Sequence, residues 1–139
     1  MAALTGDRPL LKRHYGDRNF PVAANVCLFE NAMVALTVPG GLLRPAGLGA
    51  TDVVVGVAKK RYDNRGGAAS AISAEVESDS TRAMFNSAGG DAITLADIGK
   101  DCFAVDDQTV ALTNGGGARA RAGVIHQVTE LGVWVRFDK

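Results

Sequence analysis

The stretch that decides the fold is Val105-Asp106-Asp107-Gln108-Thr109-Val110-Ala111-Leu112-Thr113-Asn114-Gly115-Gly116-Gly117. Short apolar runs lie on either side of the two aspartates, and three glycines follow the second run. Aspartate carboxylates accept hydrogen bonds from nearby backbone amides, and glycine reaches positive φ angles at little steric cost. The stretch therefore predicts a strand, a tight turn, a second strand and a wide turn.

Apolar runs of strand length recur outward from this stretch, and turn residues separate them. They lie at 26–29, 33–38, 53–58, 71–78, 119–128 and 132–137. The run at 53–58 is dense in valine, which predicts a strand buried on both faces. A helical signal is present only at 93–100, over one or two turns. The sequence predicts an all-β fold, a small β-barrel or β-sandwich of about nine or ten strands, with at most two short helices.

The first 19 residues differ from the rest of the chain. They are polar, contain Pro9 and Gly16, and show no sustained period of 2 or 3.6 residues. We therefore predict an extended N-terminal arm at 1–19 and a single β-rich domain at 20–139. A chain of 139 residues is long enough for one domain of ordinary size.

Composition and charge narrow the classes of function. Hydrophobic residues are 47% of the chain but aromatics only 6%, which predicts a thin core of small aliphatic side chains. The net charge of zero argues against a generic polyanion binder. Residues 1–18 carry a net charge of +2, whereas residues 70–107 carry −6. These charges either face solvent or allow the basic arm of one copy to bind the acidic segment of another.

Cysteines, histidines and apolar stretches give no sign of a metal site or a membrane span. Cys27 and Cys102 lie in apolar runs, and we expect both to be buried structural thiols. His126 is predicted at the edge of the core, and His14 in the arm is expected to face solvent or an interface. No stretch approaches the ~20 apolar residues of a span, and no secretory signal is seen. We expect a protein made and kept in a reducing cytoplasm.

Two near-matches to functional motifs in the sequence each lack a required feature. Gly99-Lys100-Asp101 is the nearest approach to a phosphate-binding loop, but Asp follows the lysine and Thr94 stands at the first glycine position. Asp106 and Asp107 are adjacent in a turn and so point apart, whereas catalytic carboxylates converge from separate segments. We predict no catalytic residues, no cofactor and no enzymatic activity.

The last apolar run carries the most informative side chain. Alternation places Val133, Val135 and Phe137 on one face, and Trp134 and Arg136 on the other. Tryptophan beside arginine on a polar face is typical of an interface hot spot. The alternative is that Trp134 covers the open end of a barrel.

The order of several segments resembles that of the small capsid decoration (cement) proteins of tailed bacteriophages and Mu-like prophages. The likeness runs from about residue 5 to residue 137. After the basic arm, its segments are Pro21-Val22-Ala23-Ala24-Asn25-Val26, Val54-Val55-Gly56-Val57-Ala58, Asp63-Asn64-Arg65-Gly66-Gly67 and Cys102-Phe103-Ala104-Val105-Asp106-Asp107-Gln108-Thr109-Val110. The chain departs from the family at Asn31-Ala32, where a glycine is usual, and at 77–82, where a shorter turn is usual.

The resemblance implies a virion structural protein without catalysis, located on the capsid surface and made in the host bacterial cytoplasm. Its partners would be the major capsid protein, whose lattice it binds from outside, and further copies of itself, often as a homotrimer. No membrane or specific nucleic-acid partner is expected. The candidate interface residues are Arg8, Lys12, Arg13, His14 and Tyr15 in the arm, and Trp134 and Arg136 in the body.

Two other functions remain open from the sequence. One is an OB-type nucleic-acid-binding barrel that uses Trp134 and Arg136 together with Arg119 and Arg121. The other is a head-tail joining or tail subunit of the same virus.

Overall fold

The computed structural model describes residues 2–9, 11 and 17–137. Within these residues it contains twelve β-strands and no α-helix. The predicted helical segment at 93–100 contains only the 3-10 turn Leu95–Asp97, and a second such turn covers Gly89–Asp91. The all-β fold and the limit of two short helical segments are therefore confirmed.

The strands are short and fall into two groups along the chain. The first seven are β1 (Arg18–Pro21), β2 (Cys27–Leu28), β3 (Met33–Leu36), β4 (Leu43–Pro45), β5 (Val53–Ala58), β6 (Tyr62–Asp63) and β7 (Ser73–Glu77). The last five are β8 (Arg82–Asn86), β9 (Asp101–Ala104), β10 (Thr109–Ala111), β11 (Arg121–Thr129) and β12 (Gly132–Arg136). Strand β1 begins at Arg18, one residue before the predicted end of the arm.

The first group forms a sheet that curls back on itself. Its strand order is β1-β7-β5-β3-β4, and β2 pairs separately with β6. Val22, just after β1, forms a bridge with Leu43 of β4, so the two edges of the sheet meet. Leu28 of the β2–β6 ribbon is fully buried in the core that this curled sheet encloses.

The second group forms a closed five-stranded barrel. The neighbours in order are β10, β8, β12, β11 and β9, and β9 pairs with β10 to close the ring. Every pair is antiparallel except β10 with β8. Closure leaves no free strand edge in this barrel, which removes a site of edge-to-edge aggregation.

The central strands of the first sheet serve two cores at once. Met33 and Val57 are fully buried in the cluster that includes the barrel interior, and they pair with each other across β3 and β5. Val34 and Val55 lie in the other cluster, inside the curled sheet. Burial on both faces is thus confirmed for the end of β5, whereas Val53 at its start is exposed.

Two close contacts join the sheet to the barrel. The Met33 backbone N–H donates to the Asp107 carbonyl at 2.7 Å. Gly47 has a φ of +95°, and a Cβ placed there would come within 2.6 Å of the Asp106 Cα. No larger residue fits at Gly47 without moving the β9–β10 turn, so the loop before β5 is packed directly against the barrel.

The predictions for individual polar residues had mixed outcomes. Cys102 is buried as predicted, and burial raises the pKa of its thiol to about 12. Cys27 is only half-buried, because its strand has just two residues and lies in the outer ribbon. The prediction of a core-edge His126 was wrong, since a bulge between Ile125 and Gln127 turns this side chain out to solvent.

Candidate interaction surface

Trp134 lies on the outer wall of the barrel. Val133 and Val135 are fully buried inside, as the period of two predicted, and Phe137 is also buried. Trp134 is half-buried and Arg136 is exposed on the opposite face. Because Trp134 stands at the midpoint of β12, it does not close an end of the barrel, and the alternative of a barrel plug was wrong.

The indole of Trp134 is held in place by its own hairpin. Its Nε1–H donates to the Thr129 Oγ1 at 2.9 Å, across the two-residue turn that joins β11 to β12. On the other side, Trp134 is paired with Ala83 of β8. A large ring that is half-exposed and fixed by a hydrogen bond loses little conformational entropy on binding, which suits it to anchor a partner.

A groove begins beside Trp134 and runs to the first sheet. Its volume is about 510 Å³. One wall comes from the β2–β3 loop, another from β8, and the rest from the β9–β10 turn and the β11–β12 hairpin. The lining residues are Phe29, Glu30, Asn31, Ala32, Ala83, Met84, Phe85, Asp107, Gln108 and Leu131.

Backbone hydrogen bonds of the β9–β10 turn fix the floor of the groove. The Phe85 N–H donates to the Gln108 carbonyl at 2.8 Å, while the Asp107 carbonyl accepts from Met33. The Asp106 Oδ1 accepts from the Gln108 N–H at 2.9 Å, which confirms the aspartate-stabilised turn predicted from the sequence. The groove is therefore a rigid feature to which both halves of the fold contribute.

The groove combines apolar side chains with carboxylates. Phe29, Phe85 and Leu131 are among the exposed large hydrophobic residues. Desolvation, together with the neighbouring Asp106, raises the pKa of the Asp107 carboxyl. Glu30 adds a second carboxylate, and within residues 2–9, 11 and 17–137 neither acid has an ion-pair partner.

The β2–β3 loop that borders the groove contains a residue in the left-handed region of backbone conformation. Asn31 has a φ of +66°, in the left-handed region that favours glycine and that asparagine tolerates best among other residues. The Arg61 guanidinium stacks over the ring of Phe29 in the same loop, 5.4 Å from the ring centroid.

The predicted arm is described only in part. Arg8 is exposed, while Lys12, Arg13, His14 and Tyr15 lie outside the described residues. At the root of the arm, the Asp17 carboxylate accepts from the Lys59 ammonium at 3.1 Å. In the single chain the root therefore attaches to the body through an acidic residue of the arm.

The arginines considered for nucleic-acid binding are engaged within the fold. Arg119 pairs with Asp91 at 3.3 Å, and Arg121 pairs with Asp101 at 2.8 Å. These two ion pairs are part of a larger group, because five of the eight acids at 70–107 form ion pairs with described residues. These acids are Glu75, Glu77, Asp91, Asp97 and Asp101.

Three further findings concern metal binding, membrane-spanning helices and similarity to known proteins. In the described part of the chain, no group of three or more His, Cys, Asp or Glu side chains could hold a metal ion. No helix among the described residues is long and apolar enough to cross a membrane. No protein-family model, curated protein or solved structure matches the chain.

Sequence reasoning found Trp134 but missed the groove next to it. Phe29, Phe85 and Leu131 come from three distant parts of the chain, and each is an ordinary apolar residue at the end of a strand or in a turn. The one available signal was at Phe85, which follows the buried Met84 in β8 and therefore faces away from the core. Only the folded chain brings them together with the β2–β3 loop.

Proposed function

We propose that this protein is a capsid decoration protein that binds the outer surface of a major capsid protein lattice and stabilises the head. It acts as a homotrimer on the virion surface, without catalysis and without a cofactor. The resemblance in segment order supports this function. The observation that carries it is the half-exposed ring of Trp134, which a hydrogen bond to Thr129 holds rigidly on the outer barrel wall.

Such a surface suits a stabilising role on physical grounds. A protein that binds only the assembled lattice shifts the equilibrium toward that lattice by mass action. A trimer contacts several sites at once, so modest contacts gain strength from a high effective concentration. The closed barrel keeps the anchor residues in fixed positions, so little conformational entropy is lost when they bind.

One observation favours an OB-type nucleic-acid-binding barrel as the second candidate. Starting from β11, the neighbour order β11-β12-β8-β10-β9 is that of an OB barrel whose chain begins at a different strand. The β12–β8 face and the two turns beside it then correspond to the surface with which OB barrels bind oligonucleotides. This likeness concerns the fold, which does not by itself imply the function.

The charges of that surface argue against nucleic acid. The groove presents Glu30 and Asp107, which repel phosphates, and Arg119 and Arg121 are paired with carboxylates elsewhere. A head-tail joining or tail subunit remains compatible with the same surface, and it differs in the partner bound.

Co-sedimentation with expanded capsids tests the proposal. The wild type is expected to pellet with the capsids, and Trp134→Ala is expected to weaken binding about tenfold or more, as hot-spot residues do. Val38→Ala is the matched control, because Val38 is also an exposed apolar residue but lies beyond the far end of β3.

Three results would contradict the proposal. The first is no binding of the wild type to capsids. The second is equal loss in both variants, which would show that the outer barrel wall has no special role. The third is tight binding to single-stranded DNA without capsid binding, which would favour the OB-type function.

A further inference from the structure

The groove presents exposed apolar side chains beside carboxylates. Phe29, Phe85 and Leu131 are 52%, 63% and 69% exposed, so three large apolar side chains of the groove face solvent. Glu30 and Asp107 line the same groove. Among the described residues neither carboxylate has an ion-pair partner. A ligand that suits this groove is apolar and carries positive charge.

The acidic segment at 70–107 points to the same place. Its net charge of −6 comes from eight acids, of which five are ion-paired within the fold. Of the three others, Asp106 and Asp107 form the turn at the groove, and Asp79 lies in the β7–β8 turn. The charge available to a basic partner is therefore concentrated at the β9–β10 turn.

The N-terminal segment has the complementary chemistry. Leu4 and Leu11 are 70% and 99% exposed, and Arg8 is exposed as well. In the sequence, Leu11 is followed directly by Lys12 and Arg13. Because Leu4 and Leu11 remain exposed in the single chain, neither side chain fills the groove of its own molecule.

We propose that the groove binds the N-terminal segment of a second copy of this chain. Leu11 packs against Phe85 and Leu131, and the basic pair that follows it faces Glu30 and Asp107. Phe85 and Leu131 thereby become part of an interface between copies, while Trp134, which does not line the groove, stays available as the anchor for the capsid. This inference concerns association of the protein with itself, so it stands or falls independently of capsid binding.

The point where the arm joins the body lies near the groove wall, as an exchange of arms between copies requires. Asp17 binds Lys59, and Lys59 directly follows Ala58, whose N–H donates to the Ala32 carbonyl at 3.0 Å in the groove wall. From β1 to β3 the distance across three strand spacings is about 14 Å. The seven residues from Leu11 to Asp17 can span about 23 Å when fully extended. Two copies that meet at the groove wall can therefore exchange arms.

Two full-length variants test the proposal, with one change on each side of the contact. The groove variant combines Phe85→Ser and Leu131→Ser, and the arm variant combines Leu11→Ser with Lys12→Glu and Arg13→Glu. All the residues changed in the groove variant are exposed, so the fold should be preserved, which far-UV circular dichroism checks. Val38→Ser is the control for loss of an exposed apolar side chain elsewhere.

Sedimentation equilibrium of the isolated protein provides the measurement. The wild type and the control are expected to self-associate. For each of the two variants, the dissociation constant of self-association should rise about tenfold or more. A mixture of the two variants keeps one intact groove and one intact arm, so it should form a 1:1 complex. Raising the salt from about 50 mM to about 500 mM should weaken that complex, because the ion pairs are screened.

The mixture distinguishes arm exchange between copies from binding of the arm within its own chain. If the mixture stays monomeric while each variant has lost association, the arm acts within its own chain and the proposal is wrong. It is also wrong if the wild type is monomeric at all concentrations, or if the groove variant associates as the wild type does. Capsid binding by a monomeric wild type would support binding to the lattice, and it would refute both the arm exchange and the proposed homotrimer.

Discussion

Two valines in neighbouring strands test whether the sheet and the barrel unfold as one unit. Val34 of β3 and Val57 of β5 are both fully buried, but Val34 belongs to the core of the curled sheet and Val57 to the core shared with the barrel. The same substitution, valine to alanine, therefore perturbs each core separately. Val38→Ala is the control, because Val38 is exposed.

The expected cost is similar for both variants. Each change removes two buried carbon groups, worth about 0.8 kcal/mol apiece. A residual cavity of about 40 Å³ adds about 1 kcal/mol. The free energy of unfolding should thus fall by about 2.5 kcal/mol. With a urea dependence of about 1.5 kcal/mol/M, the midpoint moves down by about 1.7 M.

Two probes of urea unfolding distinguish one unit from two. Trp134 is the single tryptophan, so its fluorescence reports on the barrel, whereas far-UV circular dichroism reports on all strands. Because β3 and β5 contribute to both cores, Val34→Ala should shift both midpoints equally. If Val34→Ala lowers only the dichroism midpoint and leaves the Trp134 midpoint unchanged, the reasoning about shared strands fails.

Four further predictions concern polar and ionisable side chains. Asp52→Asn should lower the free energy of unfolding by about 1–3 kcal/mol in urea titrations, because the Asp52 side chain is buried and accepts two hydrogen bonds from one guanidinium. Asp63→Asn removes an exposed ion pair and should leave the urea midpoint unchanged. In the native protein a thiol reagent at pH 8 should leave Cys102 unmodified, since its pKa of about 12 keeps it protonated, and urea should expose it; modification of both cysteines at equal rates would contradict this. Desolvation raises the pKa of Asp107 in the folded protein, so its charge destabilises the fold increasingly as the pH rises above the unfolded-state pKa of about 3.9, and Asp107→Asn should raise the melting temperature at pH 7. The gain should vanish below about pH 3.9, where the carboxyl is protonated in both the folded and unfolded states, and an equal gain at all pH values would refute this cause.

Local features of the fold were predictable from the sequence where one short segment contains all the causes. The β12 strand alternates between buried Val133 or Val135 and outward Trp134, because a period of two is a property of the strand itself. The Asp106 turn followed for the same reason, since the hydrogen bond runs to Gln108, two residues away. His126 shows the limit, because one bulge residue reverses the face that alternation assigns.

The sequence by itself determined the all-β class, the positions of most strands and turns, and the outward face of Trp134. The tertiary structure decided that β3 and β5 serve two cores, and it decided which acids remain without a basic partner. It also formed the groove, whose apolar residues Phe29, Phe85 and Leu131 are separated by dozens of positions in the chain. The physical reason is one of range: alternation and turn chemistry act over a few neighbouring residues, whereas a groove and a shared core depend on long-range strand pairing that no local pattern encodes.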